Sequence, residues 1–140
     1  MTLDTFVNKY NGKFVDWDHQ FGPQCYDLFI QYIQEALGMD PKPYCGWGTA
    51  KGVWNNYFNI KGAYQAFTRV VNGPYNSPPK GAIVFWGTYP FVTGWAGHVA
   101  IASDAGSMKF ISFDQNYPTN SCCHYVNHSY KGVLGWWVKK

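Results

Sequence analysis

A cysteine becomes a nucleophile when a helix start and a histidine activate it, and Cys25 stands where both can act. In Gly22-Pro23-Gln24-Cys25-Tyr26-Asp27-Leu28, Pro23 and Gln24 put Cys25 in the first turn of a helix. Unpaired backbone N–H groups and the positive end of the helix dipole favour a thiolate there. Taken alone, such a cysteine also suits the helix's core stripe as a small apolar residue. A partner far away in sequence shifts the balance. Gly94-Trp95-Ala96-Gly97-His98-Val99-Ala100-Ile101-Ala102 sets His98 at a strand start, with Ala100 and Ala102 on the same face leaving room for a helix. Thiol and imidazole within hydrogen-bond reach form a nucleophile–base pair. If the turn from Asp104 to Ser107 is centred on Gly106, Asp114 lies opposite His98, their Cβ atoms roughly 5 Å apart. Asp114 can then orient the imidazole. Asn116, two residues on and on the same face, is the alternative orienting group or a contact to an oxyanion. A one-residue slip would turn these side chains away from each other.

A second constellation lies just before the nucleophile. Asp16, Asp18, Gln20, Gly22 and Asp27 occupy positions 1, 3, 5, 7 and 12 of a twelve-residue frame, the spacing by which an EF-hand loop gathers oxygen ligands around calcium. Phe21 takes position 6, where an EF-hand has Gly, and Asp27 replaces the usual Glu, so the spacing is present without the motif. Asp27 follows Cys25 by two residues, about 200° around a helix, and so faces the loop rather than the nucleophile's cleft. An Asp-rich surface turn would also produce this pattern. The expectation is a structural Ca²⁺ held by these five residues.

The elements that must position these groups are legible from periodicity. Apolar residues at 25, 28, 29, 32, 33, 36 and 37 make the stripe of an amphipathic helix closed by Gly38. Thr49 to Tyr57 and Ala63 to Val71 read as further helices. After Lys80-Gly81 the period changes, and Ala82 to Trp86, His98 to Ser103, Lys109 to Asn116, Cys122 to His128 and Val133 to Val138 read as strands. Helices first and an antiparallel sheet second give an α+β fold.

Composition narrows the function classes. The 140 residues are 46% hydrophobic and 20% aromatic, enough for one packed domain over 1–140. A net charge of +3 with no basic run before Lys139 and Lys140 argues against nucleic acid as a partner. Apolar runs are too short to insert into a membrane, and Asp4 interrupts any signal peptide at the N-terminus. Four cysteines without a CxxC pair argue against a zinc site, and Cys25 reads as a free thiol. Among the aromatics, Trp86 and Tyr117 end strands beside the proposed cleft and are expected to line it. His19, His124 and His128 read as surface or strand polar groups.

Gly22-Pro23-Gln24-Cys25-Tyr26-Asp27, Pro79-Lys80-Gly81-Ala82-Ile83-Val84-Phe85-Trp86, Gly97-His98-Val99-Ala100 and Asp114-Gln115-Asn116 together resemble the CHAP domains (cysteine, histidine-dependent amidohydrolase/peptidase) of phage endolysins. The resemblance spans nearly the whole chain. It implies a papain-like fold and hydrolysis of peptidoglycan amide bonds with Cys25 as nucleophile and His98 as base. Endopeptidase action is slightly favoured over N-acetylmuramoyl-L-alanine amidase action, and a noncatalytic, calcium-dependent wall-binding module is a further alternative. Some calcium-dependent relatives resemble the Asp16 to Asp27 stretch. The backbone N–H of Cys25, with Gln24 or Asn116, would bind the oxyanion. The resemblance further implies a monomeric catalytic domain, made in the host cytoplasm without a signal peptide and acting on the wall after release, with any wall-binding domain lying outside this chain.

Overall fold

The computed structural model describes residues 1–88 and 94–140. The N-terminal half carries four helices: α1 (Leu3–Tyr10), α2 (Cys25–Gln31), α3 (Ala50–Asn55) and α4 (Ala63–Ala66). Among the described residues six strands follow, β1 (Phe67–Val71), β2 (Ile83–Trp86), β3 (His98–Ala105), β4 (Lys109–Asp114), β5 (His124–Ser129) and β6 (Val133–Lys139). They form one antiparallel sheet in the order β1-β6-β2-β3-β4-β5. This is the α+β, helix-then-sheet arrangement that the change of period predicts. Among the described residues, no helix is long and apolar enough to cross a membrane.

Local chemistry accounts for most element boundaries. Thr2 caps α1 by accepting from the Thr5 N–H at 3.1 Å, and Thr49 caps α3 by accepting from the Gly52 N–H at 2.9 Å. The apolar stripe beginning at Cys25 continues past α2 through a π-helical turn, Tyr32–Ala36, and Gly38 then takes a left-handed φ of 64°. One expected helix is corrected. Only Ala63–Ala66 of the stretch from Ala63 to Val71 is helical, and Phe67–Val71 is a strand paired along β6 from Phe67↔Lys139 to Val71↔Gly135. The run Thr68, Val70 and Val71 is β-branched, and pairing with an available sheet edge outweighs weak helical periodicity.

The sheet has two covered faces. On one, Phe85, Val99, Ile101, Phe113 and Trp137 pack with Phe6, Leu28, Phe29 and Ile33 of the helical layer. On the other, Val84, Trp86, Ala100, Ala102, Phe110 and Trp136 form a second cluster. Ala100 and Ala102 therefore do not make room for α2 as expected from their size. The helix lies against the Val99 and Ile101 face, and its N-terminus meets the sheet at the end where β3 begins.

Candidate active site

At that end of the sheet four elements converge on one imidazole. Gly97, φ 74°, sets the entry to β3; a Cβ there would stand 2.3 Å from the Trp86 carbonyl oxygen, so the chain can pass only as glycine. His98 follows directly, buried and paired with Trp86 across β2 and β3. Its Nε2 lies 2.7 Å from Asp114 Oδ2. A carboxylate only accepts, so Nε2 carries the hydrogen and Nδ1 is left for Cys25, which lines the same cleft. Burial disfavours a charged ring here. The Coulombic influence of Cys25 and the hydrogen bond to Asp114 outweigh it and raise the His98 pKa to about 10. The electrostatics thus favour a protonated His98 ring beside Cys25 at neutral pH.

The route by which Asp114 reaches His98 differs from the expected register. A turn centred on Gly106 would pair Ile101 with Ile111, but Ile101 pairs with Phe113, after an irregularity between Ala102 and Asp104. This slip is even, so Asp114 keeps its face and meets His98 diagonally rather than head-on. Asp114 is fully buried. Its Oδ1 accepts from the Ser112 hydroxyl, and its Oδ2 accepts a second imidazole, His128 Nε2, at 2.9 Å. Burial would raise its pKa, but the hydrogen bonds from His128 and His98 hold it below the usual carboxylate value.

Asn116 shares the cleft without touching His98 in any hydrogen bond. At a left-handed φ of 63°, it donates from Nδ2 to Gln24 Oε1 at 3.0 Å and accepts the Asn120 N–H at 2.6 Å. Gln24 in turn donates Nε2 to the Phe21 carbonyl at 2.9 Å. Gln115, which sequence reasoning passed over, is fully buried: it exchanges two hydrogen bonds with the Val15 backbone, at 2.6 and 2.7 Å, and donates to the Gln24 carbonyl at 2.8 Å. The end of β4 thus grips the residue before the nucleophile and the segment leading into the acidic loop.

A cleft of about 540 Å³ opens over this arrangement, lined by Gln24, Cys25, His98, Asn116 and Tyr117 among others. A neighbouring cleft of about 330 Å³ approaches Cys25 from the other side, between the exposed rings of Phe21 and Trp95. Tyr117 is among the residues lining the cleft, its ring 5.0 Å from that of His98. Trp86 is not. It is 1% exposed, packed between His98, His128 and Phe110, so its expected contact with substrate is corrected to support of the site from beneath. His128, read as a surface or strand polar group, does lie on β5, but it is a buried partner of Asp114 rather than a surface group. Its alternation with Val126 on β5 was the available signal. The partner was hidden because His128 sits opposite Phe110 in register, four residues from Asp114.

Of the five residues in the acidic frame, the three aspartates come together. Oxygens of Asp16, Asp18 and Asp27 lie within 4.8 Å of one another. Asp16 Oδ1 is buried with no hydrogen-bond partner among the described residues. Asp27 faces the loop, accepting the Gln24 N–H at 2.8 Å and the Asp18 N–H at 3.4 Å. Burial first, and then the charges of Asp18 and Asp16, push its pKa up to about 6 despite these backbone bonds. Phe21, at the sixth position of the frame, takes the left-handed φ of 62° and Gly22 follows at 73°, so the sharp turn exists without the glycine usually found there. Gln20 donates its N–H to Asp18 Oδ1 at 2.9 Å. A buried, unpartnered carboxylate oxygen beside two others suits a hard cation such as Ca²⁺.

The chain is similar to known proteins along most of its length. The CHAP domain family matches residues 14–116, a span that includes Cys25, His98, Asp114, Asn116 and the acidic loop. The chain is 33% identical over 139 residues to endolysin PlyTW of Staphylococcus phage Twort, covering 93% of this chain and 28% of that protein. Among solved structures it is similar to the wild-type endolysin LysIME-EF1 (TM-score 0.70, 24% identity, 96% of this chain and 61% of that one). It is also similar to Ly7917 with the hydrolysing product of MDP (TM-score 0.62, 19% identity, 83% of this chain and 53% of that one). The chain therefore spans under a third of the curated relative's length and between about half and three fifths of these structures.

Proposed function

We propose that this chain, which belongs to the CHAP domain family, is a cysteine hydrolase that cleaves amide bonds of bacterial peptidoglycan. The observation that carries the reading is that Cys25 and His98 line one open cleft, with His98 hydrogen-bonded to the buried Asp114 behind it. The Cys25 thiolate attacks the carbonyl carbon and forms a C–S bond, and the oxyanion is met by the Cys25 backbone N–H at the start of α2. His98 gives its Nδ1 proton to the departing amine as the C–N bond breaks. Water, deprotonated by His98, then attacks the thioester, releasing a carboxylic acid and restoring the thiolate. Gln24, held by Asn116, flanks the oxyanion position. Tyr117 walls the cleft on the side of β4.

Asp16, Asp18 and Asp27, with Gln20 and Gly22 beside them, would hold Ca²⁺, whose charge neutralises the carboxylates and stiffens the loop against α2. The ion's chemistry is structural, since the carboxylates face away from the thiol. The substrate would be met at the cell wall after release of the protein. Between the two bonds a CHAP enzyme could cut, we favour a peptide bond of the stem or cross-bridge over the muramoyl–L-alanine amide. Mass spectrometry of fragments released from purified peptidoglycan tests this. New peptide N-termini within the stem or bridge support endopeptidase action, intact stem peptides freed from glycan establish amidase action, and an unaltered sacculus refutes hydrolysis.

A further inference from the structure

We propose that His128 is a positioning residue of the catalytic line, dividing the charge of the Asp114 carboxylate between two imidazoles and so setting how readily His98 releases its proton. The inference rests on the hydrolase reading for its catalytic consequence, but on geometry alone for the contact. His128 lies beyond the residues 14–116 that match the family.

The geometry allows little else. Asp114 Oδ2 stands 2.7 Å from His98 Nε2 and 2.9 Å from His128 Nε2, and its other oxygen is occupied by Ser112. An ionised carboxylate accepts only, so both rings present an N–H to one oxygen. His128 is held in that pose by aromatic contacts, with ring centroids 4.7 Å from Trp86, 5.4 Å from Phe110 and 5.0 Å from Tyr117. The titratable groups facing the two imidazoles are Cys25 from α2, Asp114 from β4, Tyr117 from the segment after β4, and each other. The facing side chain of β2, Trp86, does not titrate.

The consequence follows from the chemistry of a shared acceptor. A buried carboxylate serving a single imidazolium binds it tightly and makes it a reluctant acid. A second donor on the same oxygen weakens that hold. Proton transfer to the leaving amine is fastest when the donor is not too basic, so His128 favours the step in which His98 acts as acid.

Two substitutions separate this role from simple packing. His128→Phe keeps a ring among Trp86, Phe110 and Tyr117 but removes the donor, whereas His128→Gln places an amide N–H near the Nε2 position. On a soluble peptidoglycan fragment, His128→Phe should lower kcat about tenfold with KM little changed, and His128→Gln should recover most of the loss. In the full chain labelled with ¹⁵N-histidine, NMR should find His128 hydrogen-bearing at Nε2. His98 should keep its second proton to higher pH in His128→Phe than in the wild type, by about half a unit or more. Because the NMR result needs no substrate, it stands or falls apart from the hydrolase reading. A His128 ring protonated only at Nδ1 overturns the proposal, as do unchanged kcat and His98 titration in a folded His128→Phe. Equal losses in Phe and Gln variants that both fold also overturn it. Should His128→Phe not fold, the wild-type tautomer and the His98 titration in His128→Gln decide: Nε2–H with an unmoved titration upholds the proposal, and Nδ1–H or a titration moved by half a unit overturns it.

Discussion

Asp114 spends its carboxylate on His98, His128 and Ser112, while Asn116 spends its amide on Gln24 and the Asn120 backbone. Under the proposed mechanism the orienting role is therefore assigned to Asp114, and Asn116 is expected to act through Gln24. Asp114→Ala leaves two buried N–H groups facing a void and His98 free to turn, and it should reduce peptidoglycan cleavage by ~100-fold or more. Asn116→Ala should cost about tenfold, because the Cys25 backbone N–H remains to bind the oxyanion. Initial rates of wall clearance for both folded variants check this, and a larger loss in Asn116→Ala would transfer the orienting role. Cys25, His98 and Asp114 were legible because a helix start and strand alternation place a few polar residues where chemistry can use them. His128 and Gln115 were not, for each acts through a contact that sequence neighbours do not reveal: His128 four residues out of register, Gln115 across to Val15 and Gln24.

The element on which the account depends is the start of α2 together with the loop that feeds it. The Asp27 carboxylate is bonded to the Gln24 N–H immediately before Cys25, so whatever orders the acidic loop also orders the nucleophile's turn. Chelation with EDTA should lower both the melting temperature and the lytic rate, because a ligand that binds only the folded form stabilises it by mass action. Ca²⁺ should restore both, and Mg²⁺, which demands tighter octahedral geometry, should restore them poorly. Asp16→Ala in excess Ca²⁺ should match the chelated wild type. An EDTA-treated protein with unchanged melting and clearance would leave the loop an ordinary acidic turn. Elements with strong periodicity were readable at this scale, α2 above all. β1 was not, since Phe67–Val71 takes its strand form from pairing with β6, a neighbour more than sixty residues away in sequence.

The whole molecule places its chemistry on a seam. The helical layer contributes the thiol, and the sheet contributes the imidazole and its carboxylate from the face that does not pack on α2. Strand ends and the segment after β4 close the seam, with Gln115 and Asn116 both reaching back to Gln24. The two-layer fold was legible from the change of period after Lys80-Gly81, but which face of β3 met the helix was not, because small residues such as Ala100 suit either side. The central claim is that the Cys25 thiol, activated across this seam, cleaves peptidoglycan amides. Quantifying new free amino groups in purified peptidoglycan treated with the wild-type chain and with Cys25→Ser tests it most directly. The account predicts amine release that rises with time for the wild type and falls by at least ~1,000-fold in folded Cys25→Ser, whereas equal release by the two proteins, or none by the wild type with Ca²⁺ present, would contradict it.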